Sequence, residues 1–423
     1  MLPQSIIRNQ TTDDHWAIMV AKNYDILSEK NKNAAKYFSR TSVSKIKGFD
    51  NVFCIDGYSM ECIIDITNDL IEQSAKQQIY LSDFNVNGST IFCSFGEGWA
   101  NFQLFETLHK LIDFLQLKGE IVYTSGAINL ADCYDKFCKQ YNKIPRITCK
   151  FNENPSLFSI DNQFYQLPND KIEELPFDDK KLFCSFNWNA WSHRLALIAL
   201  LNHYDLINDG YITVPTSTKF TYDTDKDFTL LQTGCLQYID QLDDSQQILA
   251  NLEKLKSMYP LKIDDRTNYT DTDQPLMNAS LKVPMLTARI NSIFEIIAET
   301  RWSEEHFTTE KFFNPVAIGK PFIILAKFGM LKSVRSLGFK TFNNYIDESY
   351  DNIENDAQRT LAIVKEVSRL KNMRQNNPKE FISLVENCKV IAQYNLEFFV
   401  NNAHYPDNLY FKTDTFRRFM NLC

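Results

Sequence analysis

The sequence predicts an α/β protein: two Rossmann-like βα domains facing a central cleft, with C-terminal helices. Three observations lead there. The chain has 423 residues, more than the roughly 250–300 that one hydrophobic core usually serves. Short apolar runs alternate with helical periodicity in both halves, the pattern of βαβ units and parallel sheets. Two long helical stretches, 353–373 and 379–402, follow the second alternation. The expected boundaries are 1–165 for an N-terminal domain, 166–375 for a C-terminal domain and 376–423 for a helical segment packing back on the domains.

In the first half, TIFCSF (90–95) has the β-branched and aromatic content of a strand. The next run, FQLFETLHKLIDFLQL, sets Phe102, Phe105, Leu108, Ile112 and Leu115 at helical spacing. GEIVYTSG (119–126) is a second β-rich run closed by turn residues. The stretch YTSGAINLADCY (123–134) reads either as a binding loop at a strand end or as a plain βα connection. Residues 152–180, rich in Asn, Asp, Glu and Pro, mark the crossing between domains. The second half restarts with KLFCSFN (181–187) as a strand and HRLALIALLNHYDLI as the helix after it, then a helical stretch over 241–258. INSIFEIIAET (290–300) is strand-like, FTTEKFFNPVAIG (307–319) helical and PFIILA (321–326) a strand. Open parallel sheets receive ligands beyond the carboxyl ends of their strands, so the loops after these runs are where functional residues belong.

Composition narrows the classes. Hydrophobic residues make up 44% and charged residues 23%, which excludes a mainly disordered chain. With 32 Phe and 19 Tyr against 12 Gly, the chain suits large packed cores and not collagen-like or Gly/Ser architectures. The net charge of -8 gives no general attraction to nucleic acid or anionic membrane, so a polyanion site must be local. The 10 cysteines are scattered, with no CxxC pair, and read as reduced, mostly buried thiols. No signal-peptide run and no apolar stretch near 18 residues occurs, so a cytoplasmic protein without a membrane span is expected, in a bacterium or a virus-infected host cell. Acidic clusters at Asp264-Asp265, Asp271–Asp273 and Asp178-Asp179 are similar to the metal-binding DxD of one glycosyltransferase class. None follows a clear strand, and each reads as a solvated loop, so no metal is expected.

The most informative stretch is 292–326, SIFEIIAETRWSEEHFTTEKFFNPVAIGKPFIILA. A strand delivers Glu299 to its carboxyl end, a polar loop follows, and Thr308 and Thr309 open a helix with Glu310 and Lys311 in its first turn. Helix-start N–H groups and a lysine favour a diphosphate, and a carboxylate can take hydrogen bonds from sugar hydroxyls. Ordinary capping by Thr, with a solvated Lys, is the competing account. From Lys311 to Ile346 there is no Asp or Glu, while Lys311, Lys320, Lys327, Lys332, Arg335 and Lys340 all occur. Such a segment is either a local phosphate seat or a solvated face.

The block resembles the nucleotide-sugar-binding motif of α1,3-fucosyltransferase-like glycosyltransferases: a strand ending in Glu, a loop, a T-E-K helix start and a Gly/Pro-containing turn before the next strand. The matching residues are Glu299, Thr309, Glu310, Lys311, Asn314, Pro315, Gly319 and Pro321. The upstream strand ending in Ser-Asn with an Arg beyond it is matched by CSFNWNAWSHR, with Asn187 and Arg194. The chain is also similar to viral and bacterial glycosyltransferase-like proteins that share the FN…HR start, the TEK…P…G.PF block and a GFKTF…IDESYD continuation, here Gly338–Asp351. The resemblance covers 181–215 and 290–370. It implies a GT-B-like fold and an inverting, metal-independent transfer of sugar from a UDP- or GDP-linked donor, with no cofactor. Arg194 and Lys311 would neutralise the donor diphosphate, and Glu299 and Glu310 would hold ribose, sugar or the lysine itself. His193 either joins Arg194 at the donor or caps the helix. Trp188, Trp191 and Trp302 interrupt the two motifs and either stack on a base or sugar, or pack in the core.

The first half should supply the acceptor site and a general base, because the acceptor proton must leave as the donor bond lengthens. In FGEGW (95–99), Glu97 follows a strand and has flanking glycines that permit a tight exposed turn. Asp83, in YLSDFN, is the second choice. The resembled enzymes carry Asn-x-Glu-Ser-Pro where this chain carries FGEGW. The acceptor is a glycan or a hydroxylated base of viral DNA, the latter requiring a positive groove from 311–340 and Arg417-Arg418. The alternative is a non-catalytic nucleotide-sugar or glycan-binding protein on a glycosyltransferase scaffold. A phosphorylase or epimerase is less attractive without a GxGxxG fingerprint.

Overall fold

A computed structural model of the chain describes residues 27–28, 50–54, 60–74, 76, 85–93, 100–151, 173–187, 189–217, 223–259, 261–263, 283–299 and 305–402. Two compact units divide it: Met1–Leu157 with Ser303–Phe307, and Phe158–Trp302 with Thr308–Cys423. The short segment 303–307 thus groups with the first unit although its sequence neighbours on both sides belong to the second.

In the first unit the elements are β1 (Asn51–Cys54), α1 (Met60–Ser74), β2 (Thr90–Cys93), α2 (Phe102–Phe114), β3 (Ile121–Ser125), α3 (Leu130–Gln140) and β4 (Thr148–Phe151). All pairings are parallel and the order β1-β2-β3-β4 follows the sequence, with Thr90 opposite Ile121 and Val122 opposite Thr148. Every residue of β2 is buried, as expected where a parallel sheet is covered on its faces. The expected stripe of α2 is the buried one: Phe105, Leu108 and Ile112 enter the core, and Phe105 meets Tyr134 and Phe137 with centroids 5.2 and 5.6 Å apart. Asn101 caps α2 by accepting the Leu104 N–H at 2.8 Å. Gly119 permits a close backbone approach, since a Cβ there would lie 2.1 Å from the Gly88 carbonyl oxygen. The run 123–134 resolves into the end of β3, a short turn and the start of α3, a βα connection.

The second unit contains β5 (Lys181–Ser185), α4 (Ser192–His203), β6 (Gly210–Ile212), α5 (Thr224–Gly234), α6 (Leu236–Ile239), α7 (Ser245–Leu255), α8 (Val283–Ile290) and β7 (Ser292–Ala298). It continues with α9 (Glu310–Ala317), β8 (Phe322–Leu325), α10 (Met330–Ser336), α11 (Asp356–Asn376) and α12 (Pro378–Asn402). The parallel sheet has the order β6-β5-β7-β8. From β5 the chain steps outward to β6, then returns to the other side of β5 to form β7 and continues to β8. The carboxyl ends of β5 and β7 therefore flank a topological switch point, where adjacent loops diverge and leave a crevice.

All seven residues of β7 are buried, and α4 buries every residue from His193 to Leu201. The helix α4 packs against α7 and α11, so it needs no polar face over that length. Phenylalanines weld the far side: Phe312 meets Phe322 at 5.3 Å and Phe339 at 5.1 Å, and Phe313 stacks on Phe399 at 5.5 Å. These contacts and the packing of α9 on α12 attach the last helix to the second unit. Gly338 sits at φ +99, where a Cβ would also strike the Phe398 ring. No described helix is long and apolar enough to cross a membrane. Cys93, Cys133, Cys138, Cys149, Cys184, Cys235 and Cys388 are free thiols, all but Cys149 buried.

Candidate functional site

The site is built on the carboxyl ends of β5, β7 and β8 in the second unit. Glu299 follows β7 directly and is buried. Its Oε1 accepts the Thr309 N–H at 3.1 Å and its Oε2 accepts the Thr309 hydroxyl at 2.7 Å. Thr309 is the N-cap of α9: its Oγ1 accepts the Lys311 N–H at 3.2 Å, and Lys311 Nζ lies 3.4 Å from the same oxygen. Sequence accounts for this local fold. A β-region Thr before a helical run supplies the cap, and the strand end gives it a charged acceptor. Glu299 is thereby a clamp on the α9 start, with Lys311 held beside the free end of the helix. Glu310 is the first residue of α9.

His193 and Arg194 stand in the first turn of α4. The Nε2 of His193 donates to the Glu299 carbonyl at 2.9 Å, which places the ring proton on Nε2. Burial, then the Arg194 charge, lower its pKa from 6.5 to about 3, with Arg359 and Lys311 pushing the same way. The imidazole is neutral at physiological pH. Arg194 is fully buried; its guanidinium donates to the Ala298 carbonyl at 3.0 Å and to the Asn189 carbonyl at 3.4 Å. It braces the end of β7 against the loop after β5. Asn187 is buried at the end of β5, donating through Nδ2 to Ser185 Oγ at 3.2 Å and to the Thr213 carbonyl at 3.3 Å. Its Oδ1 has no hydrogen-bond partner. Trp191 is 49% exposed at the N-cap of α4.

The neutral His193 has a measurable consequence. The unfolded chain takes up this proton near pH 6.5 and the folded chain only near 3, so the unfolded state holds more protons between those values. Stability is therefore full above pH 6.5 and declines as pH falls through the window, by up to about 1.4 kcal/mol per pH unit for this group. Urea unfolding of His193→Gln between pH 6.5 and 4 is expected to show a shallower decline than the parent chain. Equal slopes would show that the imidazole is not buried neutral.

One residue of the site carries no motif signal. Arg359, fully buried in α11, donates from Nε to the Ala326 carbonyl at 2.8 Å, past the end of β8, and from Nη1 to the Ile353 carbonyl at 2.6 Å. Asp356 also pairs with it. Within a helix rich in charged residues, an arginine at this position looks like any solvated one.

The basic segment 311–346 does not form a patch. Lys320 is buried and donates to the Arg289 and Ser292 carbonyls; burial lowers its pKa to about 8. Lys327 lies 3.9 Å from Asp356, Arg335 pairs with Glu348 at 3.3 Å, and Lys340 sits over the Tyr394 ring at 3.8 Å. Lys311 stands in the first turn of α9, beside the end of β7, and Lys327 two residues past the end of β8. The continuation 338–351 is structural as well: Asp351 accepts the Leu331 N–H at the start of α10 and Glu348 accepts the Phe342 N–H.

Several expected positions lie outside the described residues: Glu97 and Asp83 in the first half, Trp188 and Trp302 beside the two motifs, Asp264-Asp265 and Asp271–Asp273, and Arg417-Arg418. Asp178 and Asp179 form part of a single 3-10 turn ahead of β5. Among the described residues no three His, Cys, Asp or Glu side chains are grouped as metal ligands.

No protein-family model matches the chain, and no curated protein matches it. Among solved structures it is similar to an α,α-trehalose-phosphate synthase (UDP-forming) from Burkholderia vietnamiensis, at 9% identity and a TM-score of 0.35, over 95% of this chain and 83% of that one. It is similar also to OtsA in its apo form, at 11% identity and a TM-score of 0.35, over 95% of this chain and 85% of that one.

Proposed function

We propose that the chain is a nucleotide-sugar-dependent glycosyltransferase of GT-B plan, with the donor bound at the switch point of the second unit. The observation that carries this is the convergence of the α9 start, Lys311 and the buried cations Arg194 and Arg359 on the ends of β5, β7 and β8, in the block that resembles the fucosyltransferase-like motif. A leaving nucleoside diphosphate gains negative charge as the glycosidic bond breaks, and preorganised N–H groups and a lysine stabilise that charge more than the ground state. Lys311 is the cation that meets the phosphates. Arg194 acts from behind, holding the β7 end and contributing field. Asn187 Oδ1 is an acceptor left for a donor N–H or O–H, and neutral His193 fixes Glu299 without competing for the anion. Cationic side chains take the place of a metal.

The acceptor is a glycan. A duplex DNA acceptor needs a continuous positive groove, and the dispersal of Lys320, Lys327, Arg335 and Lys340 into separate contacts argues against one in 311–340.

The test is a thermal-shift screen of UDP, GDP and their sugars, followed by product mass for any hit. A nucleoside diphosphate is expected to raise the melting temperature, and Lys311→Ala to weaken binding about 100-fold and remove the shift. No shift with any common nucleotide or nucleotide sugar excludes the proposed function. Binding with neither hydrolysis nor transfer identifies a non-catalytic binding protein instead.

A further inference from the structure

Residues 305–307 follow β7 in the chain yet belong to the first unit, and His306 fixes them there. Its N–H donates to Asn129 Oδ1 at 2.7 Å and its carbonyl accepts the Ile128 N–H at 2.8 Å, both in the turn after β3. Glu305 is thereby laid beside the start of α2. Its Oε1 accepts the Ala100 N–H at 3.3 Å, and Ala100 immediately precedes the N-cap Asn101. The side chain is 3% exposed, and its Oε2 has no hydrogen-bond partner.

Anchoring the segment explains Oε1 and leaves Oε2 unexplained. A desolvated acceptor without a donor costs about 1–3 kcal/mol, more when charged, and such groups in folded proteins mark a catalytic role or an absent ligand. The nearby phenol is not the missing donor: Tyr123, held protonated by burial first and by the Glu305 charge among others, is engaged with Ser125. Ser125 Oγ accepts the Ala127 N–H at 3.2 Å. The carboxylate also stands in the loops after β2 and β3, beyond the carboxyl ends of the first sheet, where parallel sheets receive ligands.

We infer that Glu305 is a saccharide-binding carboxylate of the first unit: Oε2 takes the hydrogen bond of a saccharide hydroxyl at the carboxyl ends of the first sheet. The ligand class rests on the proposed function; the buried oxygen without a donor stands on the geometry above. Glu97 and Asp83, the carboxylates expected in this half, lie outside the described residues.

The experiment uses the full chain in two arms. Saturation-transfer NMR with a panel of free hexoses and disaccharides is expected to give signals with the parent chain and none with Glu305→Ala. In the second arm, Glu305→Gln, which keeps an acceptor oxygen and removes the charge, is expected to weaken the saccharide signals and to keep the nucleotide thermal shift. Glu305→Asp, which keeps the charge and withdraws it by one methylene, is expected to lie between and serves if either variant fails to fold. Saccharide signals that survive in Glu305→Ala, or no signals with the parent chain, would each overturn the inference. Saccharide signals that depend on Glu305, in a chain with no nucleotide thermal shift, keep the hydroxyl site and remove the proposed function.

Discussion

Replacing Glu295 with alanine is expected to destabilise the second unit by about 3–5 kcal/mol, the largest single effect on stability that the structure suggests. Glu295 lies in the middle of β7 and forms a bidentate pair with Arg289, Nε to Oε2 and Nη2 to Oε1 at 2.8 Å each, with both side chains almost wholly buried. Arg289 also stacks on Phe186, its guanidinium carbon 4.5 Å from the ring centroid. Lys320 donates to the carbonyls on either side of the same turn. Removing the one carboxylate leaves two cations in the interior with no opposite charge from β7. The pair need not be worth this much itself, because a buried ion pair is often no better than apolar residues of like size. The double change Arg289→Met with Glu295→Leu is therefore expected to recover most of the loss. Denaturant unfolding of the two variants checks both statements, and a Glu295→Ala midpoint equal to the parent's would show that the pair is not buried as described.

The largest effect on the site is expected from Glu299→Ala. Thr309 donates twice to this carboxylate and caps α9 with the same hydroxyl, so truncation removes two charge-assisted bonds and loosens the turn that holds Lys311. A loss of about 3 kcal/mol in stability and of the nucleotide-dependent thermal shift follows. Glu299→Gln retains an acceptor for the Thr309 N–H and is expected to lie between. A double-mutant cycle with Thr309→Ala separates the clamp from a direct contact with the sugar. If Glu299 acts through Thr309, the double variant binds no more weakly than either single one. Independent losses would mean that Glu299 meets the ligand itself.

The candidate site of the second unit was legible because its signals are local. A seven-residue buried strand, a Thr cap with Lys in the first turn and a second apolar strand are written in contiguous residues, and β7, α9 and β8 lie where periodicity and capping predict them. Shorter pieces gave less. A four-residue strand such as β4, or three residues such as β6, is too brief to show a period. In α3 the stripe of Leu130, Cys133, Tyr134 and Phe137 runs on from a strand and is broken by Asp and Lys. Charge was the least legible property. Lys320, Lys327, Arg335 and Lys340 are neighbours in sequence, but the elements carrying them turn their side chains to different partners, so a basic run did not become a basic surface. Arg359 and Glu305 were missed for the opposite reason. Each looks like an ordinary solvated charge, and only long-range packing removes it from water.

The order β6-β5-β7-β8 also constrains how the chain can be made. In the first sheet each strand lies beside its predecessor, so pairing can advance as residues leave the ribosome. In the second, β5 gains its inner neighbour only after the whole span from 186 to 291 has been synthesised, a long loop whose closure must precede the contacts that repay it. Because β7 directly precedes Glu299 and the segment that carries Glu305, both carboxylates follow the strand that gives β5 its inner neighbour, and β8 is added after them. Arg194 therefore waits for its acceptor carbonyl at Ala298 until β7 is made, and Lys311 and Arg359 follow later still, so no nascent chain that ends before α11 holds the whole site.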